Sequence, residues 1–582
     1  MAKLALLLSD SRSGEQQHRL SRILDFFGVR WKWVRSLAES DNPENEAVFG
    51  SAEVVAAAIV SAPEQYKKQP QAAFYIYAGE DLTASARALQ SLCGKANVQL
   101  RQAPAGHVSL RVSREFADIA GPMAGIDVSL NLKEADAVIT EASGFDTVIA
   151  AGEAPVFFRF QRHNIPVFFC TSSKIVDIDE PIRSGFYDVK QQFCSAVPLV
   201  MFIRHIFPEV AWGPQELGAC LIVDDPLLRK RYGSCDFWKL GEAMRAHDFT
   251  TNIAFIPWNW RRTAPAVRDF FGNESGRFSV SIHGCDHIGA EFGATSPDVL
   301  NSRAKLAQSR MRSHEARTGI RHDPVMIFPQ GIFSSLCPEI LKHNNYLAAV
   351  NTEISPTDSA NSRTKIRDVW DVAIMAYGDF PIFTRRYAHH GVENFAFDIL
   401  LGKPCLIVSH HDFFKNDCLE LIELIEKLKS LNCLLTWRPL GELIRRACRS
   451  RLNEQYLQEV EMYGSELLVR NRSDHKTRLL IRKSERSPDS VAEVRCDHES
   501  TGWTSQVDQI TFEKTIEPGN ERIFRVLYRN LEDRKQVNRS LQFEFSVAAR
   551  RILSEFRDDY LSRSSFLSKT SAQVKSAFTR AN

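Results

Sequence analysis

Short apolar runs separated by turn residues dominate the first third of the chain. Runs at 3–9, 73–78, 135–140, 147–151 and 166–171 have strand length, and helical periodicity covers 16–27 and 84–92. Strands buried on both faces read as unbroken apolar runs, so this texture predicts a parallel sheet covered by helices. The expected unit is a flavodoxin-like α/β domain over residues 1–205. Its polar turns, Ser9-Asp10-Ser11 and Ala78-Gly79-Glu80, fall at strand ends, where such folds bind ligands. With no G-x-G-x-x-G and no P-loop, it reads as a module without catalysis of its own.

A second series begins at residue 219. Apolar runs at 219–223, 251–256, 278–282, 325–328, 347–350 and 405–409 are interleaved with helical patterns, notably 297–318 and 417–431. Repeated βα units of this rhythm predict a distorted (β/α) barrel over 215–447. From about 463 the period shortens to two in the runs 465–471, 478–482, 492–496, 509–514 and 522–528, with Pro518-Gly519-Asn520 as a turn. That pattern predicts a small antiparallel β-sandwich over 460–545. Ala548, Ile552, Leu553, Phe556, Tyr560 and Leu561 recur at helical spacing, which predicts a C-terminal helix and tail over 546–582.

Composition adds mainly exclusions. The chain has 582 residues, 44% of them hydrophobic and 25% charged, with 73 Lys+Arg against 71 Asp+Glu and a net charge of +2. That balance removes a nucleic-acid partner held by charge. No apolar run reaches the roughly 18 residues that span a bilayer, and the apolar stretch at the N-terminus is too short for a signal peptide. The expectation is therefore a cytoplasmic protein without a transmembrane segment. Twelve Cys, none in CxxC spacing, argue against a disulfide framework and against a Cys-based zinc knuckle.

The chemistry concentrates in the second series, where nine of the 16 His lie between His283 and His411. Asp224 and Asp225 end the first apolar run, at the place where barrels carry their active sites. Adjacent residues leave a strand end in different directions, so one Asp can bind a metal while the other faces a substrate. Read alone, the pair is equally a helix cap. His283 and His287 follow the run 278–282; imidazoles four apart clip a divalent cation well, although that spacing also arises by chance. Cys285 and Asp286 between them read as supporting or ordinary loop residues. His410 and His411 follow the run 405–409, and either can serve as a general acid or be a loop histidine.

The order Asp-Asp, then H-x3-H, then His after a later strand resembles the NodB-homology domain of polysaccharide deacetylases, carbohydrate esterase family 4, over about 215–447. The resemblance implies Asp224 as catalytic base and Asp225, His283 and His287 as metal ligands. His410 is implied as the acid, with His411 as the other candidate. Met326-Ile327-Phe328-Pro329-Gln330-Gly331 stands where that family has Arg-x-Pro, with Ile327 replacing the Arg. Asp368-Val369-Trp370-Asp371 loosely matches its Trp/Asp segment, and Pro226 replaces a usual Gly. The lost Arg normally holds the base; Arg229 and Arg231 are the nearby candidates to replace it.

The implied activity is metal-dependent removal of acetyl groups, N-acetyl first, from a sugar or polysaccharide, with a divalent metal, Zn2+ by preference. Aromatic residues near strand ends are candidate sugar platforms: Trp258, Trp260, Phe292, Phe333, Tyr387 and Phe413. With Arg229, the residues Trp258, Phe333 and Phe413 form the expected substrate-binding set. Two other readings compete: a metal-dependent C–N hydrolase acting on a non-sugar amide, and a catalytically inactive carbohydrate-binding or assembly protein.

Overall fold

The computed structural model describes residues 3–9, 14–61, 71–102, 106–131, 138–140, 144–274, 276–358, 364–414, 416–453, 455, 457–529 and 539–556, with the side chains of 138–140, 411 and 412 outside that set. It is a mixed α/β protein. A nine-stranded sheet occupies the N-terminal third. Its first half runs Trp31–Val34, Leu4–Leu8, Glu46–Ser51, Ala73–Tyr77, Ile165–Cys170, all parallel. That is the strand order of flavodoxin-like sheets. The helix Glu15–Phe27 buries Leu20, Ile23, Leu24 and Phe27 on one face, as its periodicity requires.

The other half corrects the expected parallel sheet. Ala154–Arg162, Asp146–Ala151, His107–Val112 and Asp127–Asn131 continue it antiparallel. An apolar run buried on both faces reads the same in either direction; the turns decide. His163 and Asn164 both take positive φ (49° and 64°), the geometry of a tight hairpin between Ala154–Arg162 and Ile165–Cys170. The strand Val138–Thr140 pairs with Leu100–Gln102 in a separate ribbon.

The second series forms a nearly closed parallel sheet. Its order is Ile382–Thr384, Ala348–Asn351, Val325–Ile327, Phe278–His283, Thr251–Phe255, Gly218–Asp224, Cys405–Ser409, Arg386–Tyr387, with the short Thr436–Trp437 added beside Gly218–Asp224. The two end strands, absent from the sequence expectation, are one continuous segment interrupted at Arg385. The same stretch of chain therefore borders both edges of the sheet. Parity sorts the side chains. Ala219, Leu221 and Val223 join the core that includes the outer helices, whereas Cys220 and Ile222 pack inside with Ala254, Ile327, Val350 and Leu406. Asp224 continues the inward set by the strand period of two, and His410 continues that of Leu406.

After the barrel, two sheets share one apolar core that includes Val460, Leu467, Ile481, Val494, Phe512 and Phe524. One pair, Gln458–Met462 with Thr477–Ser484, is parallel, which corrects the purely antiparallel expectation. The first of these sheets also reaches back to Cys448–Leu452 and Gly213–Pro214. The last described element is the helix Leu541–Phe556, which starts five residues before the expected boundary at 546. Its later half-turn candidates Tyr560 and Leu561 lie outside the described residues. Among the described residues no helix is long and apolar enough to cross a membrane. All twelve cysteines are free.

Candidate metal centre

Asp225, His283 and His287 converge at the carboxyl ends of Gly218–Asp224 and Phe278–His283, two strands that flank Thr251–Phe255 in the sheet. Each offers a donor atom, and these atoms lie within 4.8 Å of one another. The Nε2 atoms of His283 and His287 are each 3.1 Å from the same Asp225 Oδ1. Neither approach has hydrogen-bond geometry, and Oδ1 is buried without such a partner. A buried carboxylate oxygen and two imidazole nitrogens left open toward each other fit a divalent cation. His283 Nδ1 donates to the Ile327 carbonyl at 3.0 Å, which fixes the tautomer and leaves the Nε2 lone pair for a metal.

The backbone is bent to achieve this. Asp225 and His287 both take positive φ, 76° and 57°, in a region that side chains with a Cβ seldom occupy. Gly284 takes φ 60°, and a Cβ there would collide with Pro329 and Glu291. Pro329 thus has a steric role in seating the H-x3-H loop.

Glu291, which sequence reasoning missed, shapes that loop. Its carboxylate accepts from the backbone N–H groups of Cys285 (2.8 Å), Asp286 (3.1 Å) and His287 (3.0 Å) while only 4% exposed. Glu291→Ala leaves three such donors open at an estimated cost of about 1–3 kcal/mol each before relaxation. The expected result is a clearly lower melting temperature together with weakened metal uptake. Unchanged values of both would remove this role.

The charges are mutually adjusted. Burial pushes the Asp225 carboxyl up, but His287 and His283 outweigh it and hold the group well below the ordinary range. Burial lowers His287, and the facing Asp225 carboxylate more than compensates, so the imidazole is held above its ordinary value.

Asp224 is buried beside this cluster. Arg385 grips it with both nitrogens, Nη1–Oδ1 at 2.6 Å and Nη2–Oδ2 at 2.7 Å, with the two side chains 3% and 4% exposed. Burial raises the Asp224 carboxyl, but Arg385, then His283 and His410, bring it below the usual value. Arg385, at the seam of the sheet, therefore holds the carboxylate for which Arg229 and Arg231 were candidates. Those two are exposed beyond the strand end.

His410 is half-buried, with Nε2 3.4 Å from the Tyr387 hydroxyl. A cavity of about 510 Å³ opens beside it, lined by Tyr387, His389, Ser409, Phe413 and Glu420. The side chain of His411 lies outside the described residues.

The remaining expectations divide. Phe413 borders the His410 cavity. Trp258 is half-buried, its backbone N–H donating to the Cys285 carbonyl at 3.0 Å and the Arg262 guanidinium 5.5 Å from its ring centre. Phe333 is corrected: it is fully buried, stacked on Phe328 at 5.2 Å, so it packs the core and has no face for a sugar. Phe292 is likewise buried. The Asp368–Asp371 segment also lies elsewhere. Trp370 packs against Phe26 and Phe397, and Asp371 bonds Tyr463 and faces Arg449. Asp286 is an ion-pair residue, bound to Arg310 at 2.6 Å and Arg539 at 2.7 Å.

No family model matches the chain, and no curated protein does. Solved structures do. A family 4 carbohydrate esterase from Bacillus anthracis is 13% identical with a TM-score of 0.25, over 40% of this chain and 86% of that one. One from Streptomyces lividans, in complex with acetate, is 12% identical with a TM-score of 0.23, over 39% and 93%. PuuE allantoinase is 12% identical with a TM-score of 0.26, over 40% and 89%. Likeness at this level assigns neither family nor activity to the chain.

Proposed function

We propose that the barrel is a metal-dependent hydrolase that removes acetyl groups, N-acetyl first, from a sugar or polysaccharide. The observation that carries this reading is the Asp225–His283–His287 cluster with the Asp224 carboxylate in the adjoining position along the same strand end. Asp225, His283 and His287 would hold a divalent cation, Zn2+ by preference for this donor set. When bound, such a cation supplies Lewis acidity toward a carbonyl and acidifies a water.

The chain's own residues supply the rest. Asp224, kept ionised by Arg385, accepts the proton of the attacking water. Arg385 fixes the direction of that carboxylate, so its role is positioning. His410, one residue past the end of the neighbouring strand Cys405–Ser409, delivers a proton to the departing amine. The Tyr387 hydroxyl, 3.4 Å from His410 Nε2, helps to orient that ring. The cavity beside His410, with Phe413 in its wall, receives the sugar.

The test is acetate release from acetylated sugar oligomers by the full chain. Treatment with a chelator is expected to abolish release, and adding back Zn2+ to restore it. Release that persists in chelated, demonstrably metal-free protein would defeat the metal assignment.

A further inference from the structure

Three arginines of the described chain are buried: Arg385, Arg386 and Arg551, at 4%, 4% and 2% exposure. The first two follow the ordinary rule that a buried guanidinium is paired. Arg385 grips Asp224, and Arg386 grips Asp398 with Nε at 2.5 Å and Nη2 at 3.0 Å. Arg551 breaks the rule. It makes no hydrogen bond or ion pair with any described residue, and its Nε is a buried donor left open.

Its position gives this meaning. Arg551 lies on the helix Leu541–Phe556, which crosses the loops that follow two barrel strands and is pinned near both ends. Arg539, just before the helix, pairs with Asp286 in the metal-binding loop at 2.7 Å. Glu555, near its end, pairs with Arg262 through Nη2 at 2.7 Å. Val547 and Arg551 face inward between these anchors, whereas Leu541, Phe545, Ile552 and Phe556 remain exposed. Beside Arg551 on the helix, Arg550 brings Nη1 to 3.9 Å from the position a Cβ on Gly289 would take, two residues after His287. An uncompensated guanidinium is thus carried to the edge of the candidate metal centre by an element from outside the barrel.

We propose that Arg551 is an anion-recognition residue of this site, and that the ligand it takes is an acidic saccharide bearing a carboxylate or phosphate. A planar guanidinium matches either oxyanion through two parallel N–H donors. Burying it unpaired costs stability that a ligand of opposite charge returns. The inference rests on the hydrolase reading only for calling that saccharide a substrate; binding itself needs no turnover.

The experiment measures binding of glucuronate, glucose 6-phosphate and neutral glucose to the full chain by calorimetry, alongside ligand-free melting temperatures. Wild type is expected to bind one or both acidic sugars at least tenfold more tightly than glucose, and the better of the two identifies the oxyanion. Arg551→Gln is expected to lose that preference and to melt no lower than wild type, because it removes an unpaired buried charge. Arg551→Met, similar in length and uncharged, should behave alike and covers a misfolded glutamine variant. An acidic-sugar preference that survives both substitutions overturns the proposal, since the anion then sits on another cation. So does an equal affinity of wild type for all three sugars. A substantial fall in melting temperature in both variants also overturns it, because Arg551 is then a structural brace. Loss of acidic-sugar binding in R551Q without acetate release from any acetylated sugar would leave the anion site standing and remove only the hydrolase reading.

Discussion

Asp224→Asn is expected to abolish acetate release, with kcat down by about 10²–10⁴-fold, while metal content stays at the wild-type level. The carboxylate and the amide have the same shape, and Asp225, His283 and His287 hold the cation without Asp224. The change removes proton acceptance and leaves the triad in place. It also turns one side of the Arg385 grip from an acceptor into a donor, so a lower melting temperature accompanies the loss. Metal analysis and an acetate assay on the same preparation check both halves. Bound metal with undiminished release would refute the role of Asp224 as base.

Arg385→Met is expected to produce the second large effect. Removing one partner of a buried pair leaves the other charge uncompensated, at about 3–5 kcal/mol. The pH dependence follows from the direction of the Asp224 shift. In the wild type burial raises this carboxyl, but Arg385 and the nearby histidines bring it below the ordinary value. Its contribution to stability is therefore full above the unfolded-state pKa of about 3.9 and disappears as pH falls through the folded value. Without Arg385 burial gains weight and the group titrates higher, so the charged form destabilises the variant at neutral pH. The melting-temperature gap between variant and wild type should be widest near neutrality and narrow toward acid. The acid limb of the pH–rate profile should move to higher pH. A constant gap and an unmoved limb would show that Arg385 does not set the ionisation of Asp224.

These two side chains mark the boundary between what was legible and what was not. Asp224, Asp225, His283, His287 and His410 each follow an apolar run, so a strand-end position could be read locally. Barrel topology then makes such positions neighbours. The period of two along a strand also favours His410 over His411 for the inward direction. Arg385 offered no such sign. It sits between two very short strands, 161 residues from Asp224, and only closure of the sheet brings the two into contact. Arg229 and Arg231 were nearer in sequence, but the chain after Asp225 carries them outward to solvent.

Similar reasoning covers the other differences. Phe333 was plausible as a platform because it follows a strand-like run, yet its ring is covered on both sides by the core. Glu291 is an ordinary acidic residue until the loop folds back and presents three N–H groups to it. The direction of strands in the N-terminal sheet was set by the tight turn at His163 and Asn164, not by hydrophobicity.

By itself the sequence determined which segments are buried, their periods, and the residues at the tips of the barrel strands, because burial and periodicity act over neighbouring positions. Only the tertiary structure decided which distant charges meet: Arg385 with Asp224, Glu291 with the loop amides, and Arg539 with Asp286. Electrostatic pairing depends on separation in space and on exclusion of water, and neither quantity is written in the spacing of residues along the chain.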